Sequence, residues 1–402
     1  MITIERGDNM TVNKIKDDVI SLRSLDWDRR LFDELIPLPD GTTYNAYLIK
    51  GSNKNALIDT TYPEKSTNLE TDLKDLEINS LDYIIANHAE PDHSGTISRV
   101  IERFPEAKIV CTKKGKNILQ DLLLISENKF KTVEDNEEIS LGDKTLRFIE
   151  FPWVHWPETM VTYLTEDKIL FPCDLFGSHL AQSNLFVDNE SKVHEAAKRY
   201  YAEIMMPFRK IIKRNMGKIT GLDLDVIAPS HGPVYQKPQF IINAYQEWLA
   251  DQVKDEVIIP YISMYGSTEK MVNYVIERLI ENDIKVKPFN ITKTDLGELA
   301  KSLVDAATII IGSPTVLTGP HPKIQYIINV ANALRPKTRF ASVIGSYGWG
   351  GNMVEKIKNS ISNLDVELIE PVLIKGKPDT EDYEDIDELV QNIIQKHEKI
   401  KN

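Results

Sequence analysis

From residue 257 to the C-terminus, apolar strand-like segments alternate regularly with helix-like segments, and this pattern constrains the fold more than any other feature. The strand-like segments are residues 257–262, 284–289, 307–311, 339–344 and 366–374. The helix-like segments begin near Thr268, Asp295, His321, Gly351 and Tyr383. Parallel strands need helical crossovers, and such crossovers are right-handed. Five successive βα units therefore predict an open, doubly wound parallel sheet.

The residues before about 250 follow a different pattern, in which short strand-like runs mix with helical stretches and irregular loops. This mixture suits an α+β or layered α/β domain. A chain of 402 residues is also too long for one hydrophobic core. We therefore expect two domains, 1–253 and 254–402, joined by the polar segment at 250–256.

The sequence is acidic, with 48 Lys and Arg against 61 Asp and Glu and a formal net charge of −13. Nucleic acids and anionic membranes favour basic surfaces, so neither is an expected partner. No apolar run approaches the roughly 18–20 residues that cross a bilayer. Residues 1–8 carry mixed charge and lack the apolar segment of a secretory signal. These features predict a cytoplasmic protein whose two cysteines, Cys111 and Cys173, are buried as small apolar side chains.

Three segments after predicted strands of the second half have the composition of a flavin site, and ligands of doubly wound sheets bind at such places. The first is rich in hydroxyls and opens a helix, which predicts a site for the phosphate of FMN. The other two are rich in glycine, so a flat ring could approach closely, and Tyr347 or Trp349 could stack on it. The candidate FMN contacts are Ser263, Met264, Tyr265, Gly266, Ser267, Thr268, Ser313, Pro314, Thr315, Val316, Ser346, Tyr347, Gly348, Trp349, Gly350 and Gly351.

A dense cluster of metal-binding residue types follows the apolar segment at 81–86. His88, Glu90, Asp92 and His93 lie within six residues. Gathering so many titratable groups without a cation would be electrostatically costly. Residues i and i+2 of an extended segment share a face, which predicts that His88, Glu90 and Asp92 converge while His93 faces a neighbouring point.

Three further candidates, His155, Asp174 and His231, each follow a strand-like stretch. Four histidines and three carboxylates make seven ligands, too many for one tetrahedral zinc ion and about right for two metal ions. A bridging carboxylate would hold both ions at the separation used in two-centre chemistry.

The cluster resembles the metal site of metallo-β-lactamase-type hydrolases, whose signature is His-x-His-x-Asp-His. Glu90 stands where that signature has its second histidine. A carboxylate in place of an imidazole makes the site harder and more anionic, which favours iron over zinc. This substitution indicates redox chemistry. The rival interpretations are a two-zinc hydrolase with a flavodoxin-like passenger domain and an electron carrier with an idle metal site.

Together with the flavin segments, the cluster resembles the flavodiiron protein family, also called A-type flavoproteins, over nearly the whole chain. The resemblance implies an N-terminal metallo-β-lactamase-like αββα domain fused to a C-terminal flavodoxin-like doubly wound parallel five-stranded sheet. It implies one iron ion bound by His88, Glu90 and His155, a second bound by Asp92, His93 and His231, and Asp174 as the bridge. Beyond the ligands, His179 and either Tyr200 or Tyr201 are candidate proton donors.

The resemblance further implies an enzyme that uses FMN and two iron ions to reduce O2 to water with four electrons, with NO as an alternative acceptor. Segments near Leu25, Gly41 and His155 look closest to methanogen members that oxidise reduced deazaflavin coenzyme F-420. We therefore expect that coenzyme as the electron donor, with rubredoxin as the alternative. The chain resembles the simplest class, which has no appended rubredoxin or flavin-reductase domain and needs an external donor. Members of the family pair head to tail, so a homodimer or tetramer is expected.

Overall fold

The computed structural model describes residues 10–401. They form two compact units, one made of residues up to Tyr201 with Phe208–Leu249, the other of Ala202–Pro207 with the residues from Ala250 onward. The first strand of the second unit begins at Lys254, and the domain boundary between residues 253 and 254 stays a prediction. Residues 1–8, which bear on a secretory signal, lie outside the described part of the chain.

Within the described residues, the first unit combines fourteen strands with seven α-helices. The strands are β1 (Met10–Lys16), β2 (Val19–Asp26), β3 (Leu31–Phe32), β4 (Ile36–Pro37), β5 (Thr42–Lys50), β6 (Asn55–Ile58), β7 (Tyr83–Ile85), β8 (Lys108–Cys111), β9 (Phe130–Thr132), β10 (Glu138–Ser140), β11 (Thr145–Glu150), β12 (Met160–Leu164), β13 (Ile169–Phe171) and β14 (Val226–Ile227). The helices are α1 (Ser66–Asp75), α2 (Pro91–Ser94), α3 (Ile97–Arg103), α4 (Lys113–Leu123), α5 (Glu190–Tyr200), α6 (Arg209–Thr220) and α7 (Pro238–Leu249).

These strands form two sheets and a small hairpin. One sheet has the order β1-β2-β5-β6-β7-β8-β9, the other has the order β10-β11-β12-β13-β14, and β3 pairs with β4. Alternate residues of the central strands face opposite ways. In β5, Tyr47 packs in a buried cluster with Phe148 of the other sheet, whereas Leu48 packs with Leu69 of α1. The first sheet is therefore covered by the second sheet on one face and by helices on the other, which is the predicted layered architecture.

The second unit is a parallel sheet with helical crossovers. Its strands are β15 (Lys254–Tyr261), β16 (Lys285–Asn290), β17 (Ala306–Val316), β18 (Gly319–Pro320), β19 (Phe340–Tyr347), β20 (Glu367–Leu368) and β21 (Val372–Lys375). Its helices are α8 (Ser267–Ile280), α9 (Leu296–Leu303), α10 (Pro322–Leu334), α11 (Met353–Ser360) and α12 (Thr380–Lys401). The sheet order is β16-β15-β17-β19-β20, with β21 also pairing with β19 and the short β18 antiparallel to β17.

This order is that of flavodoxin-like sheets, as predicted. One predicted strand differs, because residues 366–374 form two short strands that both pair with β19. Pro371 lies in the gap between them, and a proline has no backbone N–H to donate to a neighbouring strand. None of the helices in residues 10–401 combines the length with the apolar composition that crossing a bilayer requires.

Candidate metal centre and flavin site

The first group of predicted ligands comprises His88, Glu90 and His155. His88 comes shortly after β7, Glu90 directly precedes α2, and His155 lies in the loop between β11 and β12. Oε2 of Glu90 is 3.1 Å from Nε2 of His88 and 3.1 Å from Nε2 of His155. These three side chains therefore direct their ligand atoms to one point.

The second group comprises Asp92, His93 and His231. Oδ2 of Asp92 is 3.2 Å from Nε2 of His93 and 3.0 Å from Nε2 of His231. His231 follows β14, and its Nδ1 donates a hydrogen bond of 2.6 Å to the carbonyl oxygen of Thr43. Because the acceptor is a carbonyl, Nδ1 carries the proton and Nε2 presents its lone pair to this group.

Asp174, which follows β13, lies between the two groups. Its Oδ1 is 3.0 Å from Nε2 of His93 and 3.4 Å from Nε2 of His231. Its Oδ2 is 3.6 Å from Nε2 of His88 and 3.4 Å from Nε2 of His155. One oxygen thus faces each group, which is the arrangement required of a bridging carboxylate.

Asp92 does not converge with His88 and Glu90, contrary to the expectation drawn from an extended segment. The extended conformation ends at Glu90, because Pro91 is the first residue of α2. Within that single helical turn, Asp92 and His93 both face the second group. The alternation of residues i and i+2 holds only as far as the backbone stays extended.

The spacing of the ligand atoms fits metal ions. Both oxygens of Asp92 and Oδ2 of Asp174 are buried and accept no hydrogen bond within the described part of the chain. Atoms bound at about 2.1 Å to one ion lie about 3.0 to 3.4 Å apart for octahedral to tetrahedral angles, which is the separation of most pairs above. A set of imidazoles and carboxylates is one that iron takes. The seven residues therefore fit two iron ions.

The electrostatics of the cluster also favour cations. Burial lowers the pKa of His93, but Asp92 and Asp174 outweigh it and raise that pKa to about 9. Burial likewise opposes the rise in the pKa of His155 to about 8, which Asp174 and Glu90 cause. The carboxylates therefore stabilise positive charge at the imidazole nitrogens.

Glu158, which is absent from the predicted site residues, contacts His88 on the side of its Nδ1. Its Oε1 is 2.7 Å from Nδ1 of His88 and accepts a hydrogen bond of 3.0 Å from the backbone N–H of Ala89. Glu158 stands three residues after His155 in the sequence. Its closeness to a predicted ligand is the sequence feature that could have indicated its position next to the metal centre.

Asp59, a second buried carboxylate absent from the predicted set, connects two ligand-bearing loops. Its Oδ1 accepts a hydrogen bond of 2.9 Å from the backbone N–H of Asn87. Its Oδ2 accepts from the side chains of Asn87, at 3.2 Å, and Ser230, at 3.1 Å. Asn87 and Ser230 directly precede the ligands His88 and His231, so one side chain fixes a loop of each group.

Of the two candidate tyrosines, Tyr200 reaches the ligands and Tyr201 does not. The hydroxyl of Tyr200 donates a hydrogen bond of 2.8 Å to Oδ1 of Asp174. The hydroxyl of Tyr201 donates to the carbonyl oxygen of Trp248 at 3.4 Å. The structure therefore places Tyr200 rather than Tyr201 among the groups that could move a proton to the centre.

His179 lies next to the second group. Its ring meets that of His231 edge-on, with centroids 5.0 Å apart, and its Nδ1 is 2.9 Å from Oγ1 of Thr42. Burial and then His231 hold the pKa of His179 well below its usual range. His179 is therefore a neutral imidazole at neutral pH, and its role as a proton donor stays a prediction.

The predicted FMN contacts lie at the carboxyl ends of three adjacent parallel strands, β15, β17 and β19. After β15, Oγ of Ser263 accepts a hydrogen bond of 3.1 Å from the N–H of Gly266, and α8 begins at Ser267. Gly266 has a φ of 88°, a conformation that favours glycine. Oγ1 of Thr268 lies 3.3 Å from Oγ of Ser346, which joins the first segment to the third.

Two of the three predicted flavin segments contain more strand than expected. β17 continues through Ser313–Val316 to a turn at residues 317–318, and β19 continues to Tyr347. The segments still fit a flavin phosphate and ring. A Cβ added at Gly266, Gly348 or Gly350 would meet no other atom within 4 Å, and Tyr265 and Trp349 are 89% and 94% exposed.

A layered α/β unit with seven convergent imidazole and carboxylate ligands, combined with a flavodoxin-like unit, defines an oxidoreductase that uses a flavin and a pair of metal ions. Comparison with known protein families agrees with this class. Residues 42–232 match the ODP family beta lactamase, and residues 259–388 match flavodoxin.

Individual proteins of known name are similar over almost their entire length. The coenzyme F420H(2) oxidase of Methanothermobacter marburgensis is 35% identical over 364 residues, which is 87% of this chain and 89% of that protein. The nitric oxide reductase of Moorella thermoacetica is 34% identical over 362 residues, 88% of this chain and 90% of that protein. The structure of the rubredoxin oxygen:oxidoreductase of Desulfovibrio gigas has a TM-score of 0.93 at 28% identity and covers 97% of this chain and 99% of that one.

The chain belongs to the flavodiiron protein family of oxidoreductases. The predicted fold class, a metallo-β-lactamase-like domain followed by a flavodoxin-like domain, is confirmed. Membership also supports FMN and a di-iron centre as the cofactors.

Proposed function

We propose that this protein reduces O2 to water and takes its electrons from reduced coenzyme F-420. The observation that carries the proposal is the position of Asp174, one oxygen of which faces each ligand group. A carboxylate shared in this way holds two redox-active ions close enough to act together on one diatomic molecule.

When bound, two ferrous ions and a reduced FMN supply the four electrons that convert O2 and four protons into two water molecules. His88, Glu90 and His155 would hold one ion, and Asp92, His93 and His231 the other. Two molecules of the reduced deazaflavin, each giving two electrons, balance one O2. The same ligand set suits NO, which is the alternative acceptor.

The chain's own residues protect and orient the centre. The ring of Phe32 lies 4.8 Å from that of His179, and Trp156 meets His88 edge-on at 4.9 Å, so apolar surface limits the access of water. Tyr200 keeps its hydroxyl proton directed at Oδ1 of Asp174. This hydrogen bond orients the shared carboxylate and leaves its other oxygen, Oδ2, without a hydrogen bond from the described residues.

Two observations support a small-molecule donor. The coenzyme F420H(2) oxidase is 35% identical and similar in extent to this chain. The net charge of −13 also disfavours docking of another acidic protein. A rubredoxin-dependent O2 or NO reductase is the alternative, favoured by the names of the Desulfovibrio gigas and Moorella thermoacetica proteins.

Oxygen uptake by protein reconstituted with iron and FMN tests the proposal, with reduced coenzyme F-420 as the only donor and peroxide assayed in parallel. The expected result is two donors oxidised per O2 without peroxide. Turnover only after addition of reduced rubredoxin would overturn the assignment of coenzyme F-420 as the electron donor. A strong preference for NO would overturn the assignment of O2 as the acceptor. Hydrolase activity in the zinc-loaded protein, together with no O2 reduction by the iron-loaded protein, would overturn the assignment as an oxidoreductase.

We also propose a head-to-tail homodimer or tetramer, in which the FMN of one copy serves the di-iron centre of another. Co-expression of a Ser267→Asp chain with a His231→Ala chain tests it, because each variant lacks a different cofactor. Head-to-tail pairing predicts that the mixed oligomer regains activity that neither variant has alone. If a mixed oligomer of the expected mass forms but is inactive, head-to-tail pairing is contradicted.

A further inference from the structure

The imidazole of His88 lies between two carboxylates. Its Nε2 is 3.1 Å from Oε2 of Glu90, and its Nδ1 is 2.7 Å from Oε1 of Glu158. A neutral imidazole carries one N–H. Because Nε2 belongs to the ligand group, the proton lies on Nδ1 and is donated to Glu158.

Glu158 is held firmly in this position. The residue is 3% exposed, and its Oε1 also accepts from the backbone N–H of Ala89 at 3.0 Å. Its own carbonyl oxygen accepts a hydrogen bond of 2.9 Å from Oγ1 of Thr112, the residue that precedes α4. Oε2 is buried and has no hydrogen-bond partner among the residues that the structure describes. The charge of this carboxylate is therefore directed chiefly at His88.

The second ligand group has no equivalent arrangement among the contacts of residues 10–401. Nδ1 of His231 donates to a backbone carbonyl, that of Thr43. Nδ1 of His93 is buried without a hydrogen-bond partner in the described chain. A carboxylate acceptor makes an imidazole a stronger donor to a metal ion than a carbonyl acceptor does. The two groups, which look alike in residue type, therefore differ in the basicity of their histidines.

We propose that Glu158 is a positioning residue that makes the two iron positions unequal. Acting through His88, it strengthens iron binding in the group of His88, Glu90 and His155 and lowers the reduction potential of the iron held there. The iron ion held by Asp92, His93 and His231 is then the one reduced first. This inference rests on the proposed function, because it uses the ligand assignment made there.

The test compares metal binding and reduction potentials in the full-length protein. Glu158→Gln keeps the size of the side chain and an acceptor oxygen but removes the charge. Metal-free protein is titrated anaerobically with ferrous iron against a competing chelator, and the potentials of the two ions are measured by titration monitored by electron paramagnetic resonance. Wild-type protein should bind two ions with unequal affinity. The variant should lose about 10- to 100-fold in the tighter step only, and its two potentials should move closer together.

Glu166→Gln is the matched control. Glu166 is a carboxylate of the same unit that accepts a backbone hydrogen bond, from Thr145 at 2.7 Å, but contacts no histidine of the centre. This variant should keep both wild-type affinities and both potentials. Glu158→Asp supplies a second measurement, because it retains the charge at a shorter reach and should recover part of the separation between the potentials.

Three outcomes would overturn the inference. The first is wild-type affinities and potentials in a folded Glu158→Gln protein. The second is an equal loss in both binding steps together with a lower melting temperature, since that would show a general structural role. The third is two equal iron positions in the wild-type protein. Wild-type protein that binds no pair of iron ions would instead overturn the proposed function, and the inference with it.

Discussion

The hydroxyl of Tyr200 donates a 2.8 Å hydrogen bond to Oδ1 of Asp174, the oxygen that also faces His93 and His231. Burial and then Asp174 raise the pKa of Tyr200 well above its usual range, so the hydroxyl keeps its proton at neutral pH. The bond withdraws negative charge from one side of the shared carboxylate only.

Replacement of this tyrosine should therefore affect turnover more than folding. In Tyr200→Phe, we expect two bound iron ions, a loss of stability of about 1 kcal/mol, and O2 reduction slowed by about 10-fold. Oxygen uptake, iron content and thermal unfolding measure the three quantities. Tyr201→Phe is the control, since that hydroxyl donates to the carbonyl of Trp248, and it should keep wild-type turnover. Equal turnover in both variants would show that the hydroxyl of Tyr200 has no role in O2 reduction.

The carboxylate of Glu90 should determine which metal the centre selects. In Glu90→His, an imidazole replaces the oxygen that lies 3.1 Å from both His88 and His155, and softer nitrogen ligands shift the preference from iron toward zinc. Protein expressed with both metals supplied should contain a higher ratio of zinc to iron and lose O2 reduction. Glu90→Asp, which keeps a carboxylate, should keep iron. An unchanged metal content in the histidine variant would count against the role assigned to Glu90.

The start of α8 should bind the FMN phosphate independently of the metal centre. Ser267→Asp places a negative charge at the first residue of that helix, where it would repel a phosphate dianion and compete for the same backbone N–H groups. We expect FMN affinity to fall by about 100-fold or more, so that binding is weaker by about 3 kcal/mol. The iron content should be unchanged. Fluorescence titration with FMN measures the affinity. Thr380→Asp, at the first residue of α12, should bind FMN normally, and equal losses in both variants would contradict the assignment.

Asp72 should make the stability of the first unit fall as pH rises. Burial and then Asp75 raise the pKa of Asp72 to about 7 in the folded protein, from 3.8 for an ordinary Asp. The folded state therefore binds the proton more tightly than the unfolded state. The stability that this provides is present below pH 4 and is lost as pH rises from about 4 to 7.

The variant Asp72→Asn removes this dependence. At pH 8 we expect it to be more stable than the wild type by about 1 kcal/mol, after allowance for solvent screening, and the gain should shrink at lower pH. Urea unfolding followed across the pH range measures the difference. Asp121→Asn, on the exposed side of α4, should show no such trend. If the stability gain of Asp72→Asn instead grew as the pH was lowered, the assignment of a raised pKa to Asp72 would be contradicted.

The architecture could be predicted because it is encoded in local patterns. The alternating βα segments gave the doubly wound sheet, since each unit carries its own periodicity and turn residues. The pattern was wrong at two places. Around Pro371 the structure has two short strands where one was predicted, and from Pro91 it has a helical turn, which carries Asp92, where an extended segment was predicted. At both places a proline changed the backbone, and the periodicity of the neighbouring residues could not reveal it.

The residues around the ligands were harder to predict, because only the tertiary fold brings them there. Glu158 meets His88 across 70 positions of the sequence. Tyr200 and Tyr201 are neighbours at the end of α5, and successive residues of a helix point about 100° apart, so only one can face Asp174. Sequence alone could narrow the choice to the pair but could not fix the rotation of the helix.

The hydrogen bonds of Asp59 couple the two ligand groups to each other. They join Asn87 to Ser230 through one carboxylate, so the loops that bear His88 and His231 are tied together. A displacement of either loop would therefore be passed to the histidine of the other group, and the two groups should respond as one unit to a change at either of them.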